Sequence, residues 1–118
     1  MGGGIGDLGG DYIHRTEFVL FAHKGRRVFA NGRPSNVIEA RKVRPIDMQH
    51  PTEKPVRVLR PLVLNSTLPG ETVLDPFAGS GSTGVVAQEE GRGCILIERD
   101  PGYVTIARQR LAQEPLFA

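Results

Sequence analysis

Ten residues, Asp75-Pro76-Phe77-Ala78-Gly79-Ser80-Gly81-Ser82-Thr83-Gly84, join the end of an apolar stretch to the start of a helical pattern through small side chains. Glycine permits a tight bend there, backbone can approach a ligand closely, and the helix that follows presents N–H groups to polar or anionic atoms. Glu98 follows a second apolar stretch, Cys94-Ile95-Leu96-Ile97, and lies 23 residues beyond Asp75. That is close to the interval of about 20 residues at which a strand-end acid meets ribose hydroxyls. The chemistry these spacings suit is capture of a nucleoside-type cofactor. Gly79-Ser80-Gly81 alone is weak evidence, because any strand-to-helix turn can use glycines. A P-loop is excluded, since no Gly-Lys-Ser/Thr follows. A dinucleotide fingerprint fits badly, because Asp75-Pro76-Phe77 stands where phosphate contacts are needed.

The elements around these residues can be read from their punctuation. Residues 72–74 form a short buried-type strand, residues 83–90 a helix ended by Gly91 and Gly93, and residues 94–97 a second strand. Asp100 and Pro101 suit an N-cap and first helical position, after which Val104, Ala107 and Leu111 mark one apolar face to about residue 113. Upstream, Val56, Leu59, Leu62 and Val63 recur at helical spacing behind Pro55, and Pro61 inside that pattern predicts a kink or a break. Residues 16–22 are rich in β-branched and aromatic side chains, which predicts a strand, and Lys24-Gly25-Arg26 allows a hairpin with residues 27–30. Residues 31–49 read as a loop, and residues 1–10 hold six glycines. The expected organisation is a glycine-rich segment (1–15), then a unit over 16–118 made of a strand or hairpin (16–30), a basic loop (31–49) and a cofactor-binding part (50–118).

Of the 118 residues, 39% are apolar and 15 more are glycine, a balance that supports one small globular domain. The formal charge of +2 conceals an asymmetry: residues 1–60 carry 11 basic and 6 acidic side chains, residues 61–118 carry 4 and 7. Lys24, Arg26, Arg27, Arg33, Arg41, Lys42 and Arg44 crowd into residues 24–44 against Glu39 alone. Such a stretch suits a polyanion, and equally a solvated loop with no partner. The absence of Trp argues against a base-stacking single-strand binder. Cys94 is the one cysteine, which excludes a disulfide framework and reads as a small strand residue; the three histidines do not cluster, so no metal is expected. No apolar run approaches the roughly 20 residues a membrane span needs, and a cytoplasmic location is expected.

The glycine turn, preceded by His50-Pro51-Thr52-Glu53-Lys54-Pro55, resembles the C-terminal part of the β-order DNA amino-methyltransferases, which make N6-methyladenine or N4-methylcytosine. The paired motifs are far more specific than either alone, and the resemblance covers about residues 16–111. It implies an α/β fold, an incomplete Rossmann-like sheet with flanking helices, and S-adenosylmethionine as cofactor. It also implies roles: Thr52 and Lys54 near the methionine carboxylate, Asp75, Phe77, Gly79, Ser80 and Gly81 around the methionine, Glu98 on the ribose, Arg99 or Asp100 beside the adenine. Lys54 also reads as an exposed helix-start charge, and Asp75 as a cap of the turn.

Methylating an exocyclic amine requires a loop that grips the extruded base, and the family uses Asp/Asn/Ser-Pro-Pro-Tyr/Phe for this. Here none of the nine prolines is adjacent to another, so no catalytic residue is assigned. Only about four strands can be read, near residues 16, 27, 72 and 94, and the one at 72 lacks its catalytic-side neighbour. The expected partners are double-stranded DNA and either a chain carrying the catalytic half or a second copy covering the exposed sheet edge. The leading expectation is a cofactor-binding fragment or subunit that is inactive alone. The alternatives are a non-catalytic DNA-binding or accessory remnant, and a stand-alone small-molecule or RNA methyltransferase.

Overall fold

The computed structural model describes residues 15–25, 28–29, 32–41, 44, 46 and 54–113. Within them the order is α1 (Val56–Ser66), β1 (Thr72–Asp75), α2 (Ser82–Glu89), β2 (Gly93–Leu96) and α3 (Pro101–Ala112). The strands are parallel, with Val73 opposite Cys94 and Leu74 opposite Ile95. Parallel neighbours need a crossover, and α2 supplies it. The result is a small α/β unit, a two-stranded sheet with flanking helices.

Period-two alternation decides which residues meet the helices. Val73, Cys94 and Leu96 are half-buried on the face that α2 packs against. Leu74 and Ile95 point the other way and remain 60% and 56% exposed, with Ile97 beyond them at 52%. Helix α2 also packs against α1 and α3, and the small core of Val63, Ala78, Val86, Ala87 and Ala107 gathers around it. Gly84 makes that closeness possible, because a Cβ there would lie 2.6 Å from Leu96 Cδ1.

The end of α2 shows how glycine stops a helix. Gly91 adopts φ 71, its N–H donates to the Gln88 carbonyl at 3.2 Å, and the Arg92 N–H donates to Ala87 at 2.7 Å. These are the two bonds of a Schellman motif. The Arg92 side chain then donates to the Glu90 carbonyl at 2.6 Å and to the carbonyl and hydroxyl oxygens of Thr67 at 2.8 and 3.0 Å. It therefore ties the C-terminal ends of α1 and α2 together. Arg60 adds ion pairs from α1 to Glu89 and Glu90. These partners raise the Arg60 pKa, the hydrogen bond to Glu89 being the largest cause.

Two expectations differ from what is observed. Pro61 does not end its helix: α1 runs unbroken through it. The carbonyl that loses its N–H partner belongs to Arg57, an exposed residue, so water can replace the missing donor. Residues 16–22 form no strand; Phe18 and Leu20 are 97% and 98% exposed and the segment has no β partner among the described residues. β-Branched and aromatic composition fits a pleated, half-buried surface, and among the described residues no neighbouring strand supplies a ladder. The hairpin partner at 27–30 and the glycine-rich 1–15 lie largely outside the described residues. Among the described residues no helix is long and apolar enough to cross a membrane.

Candidate functional site

The glycine turn leaves the C-terminal end of β1 and enters α2, beside the residues that follow β2. Strand pairing continues into it: the Ile97 N–H donates to the Asp75 carbonyl at 2.9 Å, and the Ala78 N–H donates to the Ile97 carbonyl at 3.0 Å. Gly79 and Gly81 both hold positive φ, 53 and 85. At Gly81 an added Cβ would also meet Ala107 Cβ at 2.9 Å, so this residue serves both the bend and the approach of α3.

Three carboxylates organise the site. Asp75 Oδ1 accepts from the Phe77 N–H at 3.0 Å, and Oδ2 accepts from the Thr83 hydroxyl at 2.6 Å. Glu98 Oε2 accepts from the Gly79 N–H at 2.8 Å, and its Oε1 accepts from the Asp100 N–H at 2.8 Å. Asp100 caps α3, taking the Gly102 N–H on Oδ1 at 2.7 Å. On the inner side of the turn, Arg110 Nη1 donates to the Ser80 carbonyl and to the hydroxyls of Ser80 and Ser82.

These bonds determine what the turn can receive. The N–H groups of Phe77, Ala78, Gly79 and Gly81 all donate within the protein, to Asp75, Ile97, Glu98 and Ala78 respectively. A phosphate cradle needs such N–H groups aimed at the ligand. This turn directs them inward and sets carboxylates beside itself, so hydroxyl donors and positive charge suit it better than phosphate.

The structure brings Asp75, Gly79, Ser80, Gly81, Glu98 and Asp100 together through the bonds above. Phe77 projects from the turn at 88% exposure, and Arg99 is exposed. Ser80 is buried, with its hydroxyl engaged by Arg110. Lys54 stands just before α1 and pairs with Glu17. Thr52 lies outside the described residues, as do Arg26, Arg27 and Lys42 of the basic stretch. The others of that stretch, Lys24, Arg33, Arg41 and Arg44, are all exposed. Cys94 is a half-buried thiol on β2. Among the described residues no group of three His, Cys, Asp or Glu side chains could hold a metal ion. Sequence reasoning missed Thr83 and Arg110. The sequence shows Arg110 only as a cation three residues after Ala107 and one before Leu111, beside the apolar stripe of α3, which does not say what it holds.

A family model described as DNA methylase, of the N6/N4 type, matches residues 23–109. The chain belongs to the N6/N4 DNA methylase family. Among curated members, YubD of Escherichia coli (strain K12), a methylase by name, is 40% identical over 111 residues, which is 86% of this chain and 47% of YubD. The type II methyltransferase M2.DpnII of Streptococcus pneumoniae is 50% identical over 66 residues, 56% of this chain and 25% of that protein. The crystal structure of the M1.HpyAVI-SAM complex superposes with a TM-score of 0.58 at 32% identity, covering 73% of this chain and 44% of that one. The cytosine-N4-specific PvuII DNA methyltransferase gives 0.52 at 33% identity, over 57% and 24% of the two chains. S-Adenosylmethionine is the cofactor of this family. This DNA methylase chain spans less than half the length of the relatives it matches.

Proposed function

We propose that this chain is the S-adenosylmethionine-binding fragment or subunit of a site-specific DNA amino-methyltransferase, acting on N6 of adenine or N4 of cytosine, and that it transfers no methyl group alone. One observation carries the cofactor reading: the N–H groups of Phe77, Ala78, Gly79 and Gly81 donate within the protein while Glu98 and Asp75 stand beside the turn. Those carboxylate acceptors suit a cofactor with ribose hydroxyls and a cationic sulfur better than a pyrophosphate.

The bound cofactor would supply an electrophilic methyl group. The residues that would hold it are Glu98 at the ribose hydroxyls, Arg99 or Asp100 beside the adenine, and Asp75, Phe77, Gly79, Ser80 and Gly81 around the methionine. Thr52 and Lys54 would approach the methionine carboxylate, in the case of Lys54 by exchanging Glu17 for the ligand's own carboxylate. Inactivity alone rests on the sequence, which holds no Pro-Pro pair to grip an extruded base.

Duplex DNA is the substrate in this reading, with Lys24, Arg26, Arg27, Arg33, Arg41, Lys42 and Arg44 contributing phosphate contacts, and the cytoplasm is its location. The catalytic half would come from a further polypeptide segment pairing along the outer edge of β1, or a second copy would cover that edge.

Calorimetric titration with S-adenosylmethionine tests the cofactor reading. Binding is expected, and Glu98→Ala should weaken it by about tenfold or more, the worth of hydrogen bonds to a charged group. Labelled cofactor and duplex DNA should give no transfer until a polypeptide carrying Asp-Pro-Pro-Tyr is added. Transfer by the chain alone would overturn the inactivity claim. Salt-sensitive duplex binding without cofactor affinity would favour the accessory DNA-binding module instead.

A further inference from the structure

Ser80 sits between two glycines with positive φ, Gly79 and Gly81. Glycine populates both signs of φ about equally, so a Gly-Ser-Gly segment has little intrinsic reason to hold one orientation of the Ser80 peptide. Something else must impose it. The Arg110 guanidinium, 30 residues away on α3, donates through Nη1 to the Ser80 carbonyl at 3.0 Å, the Ser80 hydroxyl at 2.9 Å and the Ser82 hydroxyl at 3.1 Å. Ser80 and Ser82 are only 3% and 6% exposed, so these bonds form where water competes poorly. On the opposite flank the Gly79 N–H is held by Glu98. The turn is gripped from two sides, and α3 supplies the inner grip.

We infer that Arg110 is a positioning residue for cofactor binding, acting through the Ser80 peptide and never touching the ligand. This rests on the reading of the turn as a S-adenosylmethionine site. The guanidinium anchors the inner face of the turn to α3, which holds the outer face and the Gly79–Glu98 bond in the geometry that a ligand meets. Loss of the anchor leaves the helices and strands in place and releases the two glycines.

The test compares the full chain with Arg110→Ala, Arg110→Lys and the double variant Ser80→Ala/Ser82→Ala. Each is titrated calorimetrically with S-adenosylmethionine well below its melting temperature, and amide hydrogen exchange is followed residue by residue without cofactor. Arg110→Ala should lose about 10- to 100-fold in affinity, the range expected for charge-assisted hydrogen bonds. Exchange should accelerate at Gly79 and Gly81 and stay unchanged in α1. Arg110→Lys should recover part of the affinity, because an ammonium can still donate to the Ser80 carbonyl. The double variant keeps that carbonyl and should lose less than Arg110→Ala. Wild-type affinity in Arg110→Ala, or exchange that rises equally in α1 and the turn, would overturn the positioning role. A wild-type chain that binds no cofactor would remove the underlying reading, a result distinguishable because the turn-specific exchange is measured without ligand.

Discussion

Replacing Gly81 by Ala separates two costs that usually occur together. The backbone at Gly81 has φ 85, and a Cβ there would lie 2.9 Å from Ala107 Cβ and 3.3 Å from Ala107 Cα. Left-handed backbone costs an L-residue about 1–2 kcal/mol. Ala107 cannot rotate out of the way, since its Cβ is fixed to the backbone of α3, so relief means moving the helix. Overpacking of this kind costs about 1–3 kcal/mol. Gly91 supplies the control, with φ 71 and nothing within 4 Å of its absent Cβ. Gly91→Ala should therefore show the backbone cost alone, about 1–2 kcal/mol, and Gly81→Ala the two combined, about 2–5 kcal/mol. Stability of roughly 0.05–0.15 kcal/mol per residue leaves a unit this small little reserve, so Gly81→Ala should unfold at a visibly lower urea concentration. The measurement is urea unfolding followed by circular dichroism at 222 nm. Equal midpoints and slopes for the two variants would show that α3 does not press on the turn, and the close-approach reasoning would fail.

Other expectations follow from the same bonds. Asp100→Ala removes the carboxylate that caps α3, taking with it the acceptor for the Gly102 N–H, and should cost about 1 kcal/mol in urea unfolding; Asp100→Asn should restore most of it. Arg60→Met breaks the pairs to Glu89 and Glu90, but Arg60 is 37% exposed, so solvent screening limits the loss to about 1 kcal/mol or less, shrinking further in added salt. The Arg60 pKa is raised, so its contribution is complete below the ordinary guanidinium range and disappears only as pH climbs through the folded value. Its ionisation should therefore leave the unfolding midpoint flat between about pH 6 and 9.

The strand, turn, helix, strand, helix order was legible because its boundaries are chemical. Gly79 and Gly81 must be glycine where φ is positive, Gly91 ends α2, and Asp100-Pro101 starts α3. Each boundary lies within about two residues of its expected place, the usual uncertainty of helix ends. Glu98 was readable for the same reason, since an acid directly after an apolar strand announces its position. Arg110 was not, because its function depends on which way α3 lies across the turn, and only tertiary packing decides that. Lys54 was read as a ligand contact or an exposed charge; its pairing with Glu17 joins segments 37 residues apart, beyond any local pattern. Residues 16–22 show the opposite failure: strand-like composition with no neighbouring strand among the described residues. Pro61 does not break α1, which continues through it where Arg57, the residue whose carbonyl loses its donor, is exposed.

Helix α2 is only 8 residues long, yet it is fastened at each terminus. At its start Asp75 holds Thr83 and Arg110 holds Ser82; at its finish Arg60 holds Glu89 and Glu90, while Arg92 holds the Glu90 carbonyl. A rod pinned at both tips cannot pivot, so the loop feeding it inherits a fixed pose before any guest arrives. Association at that loop then surrenders little conformational entropy, and a mutation at the far tip of the rod should be felt in binding without touching the ligand.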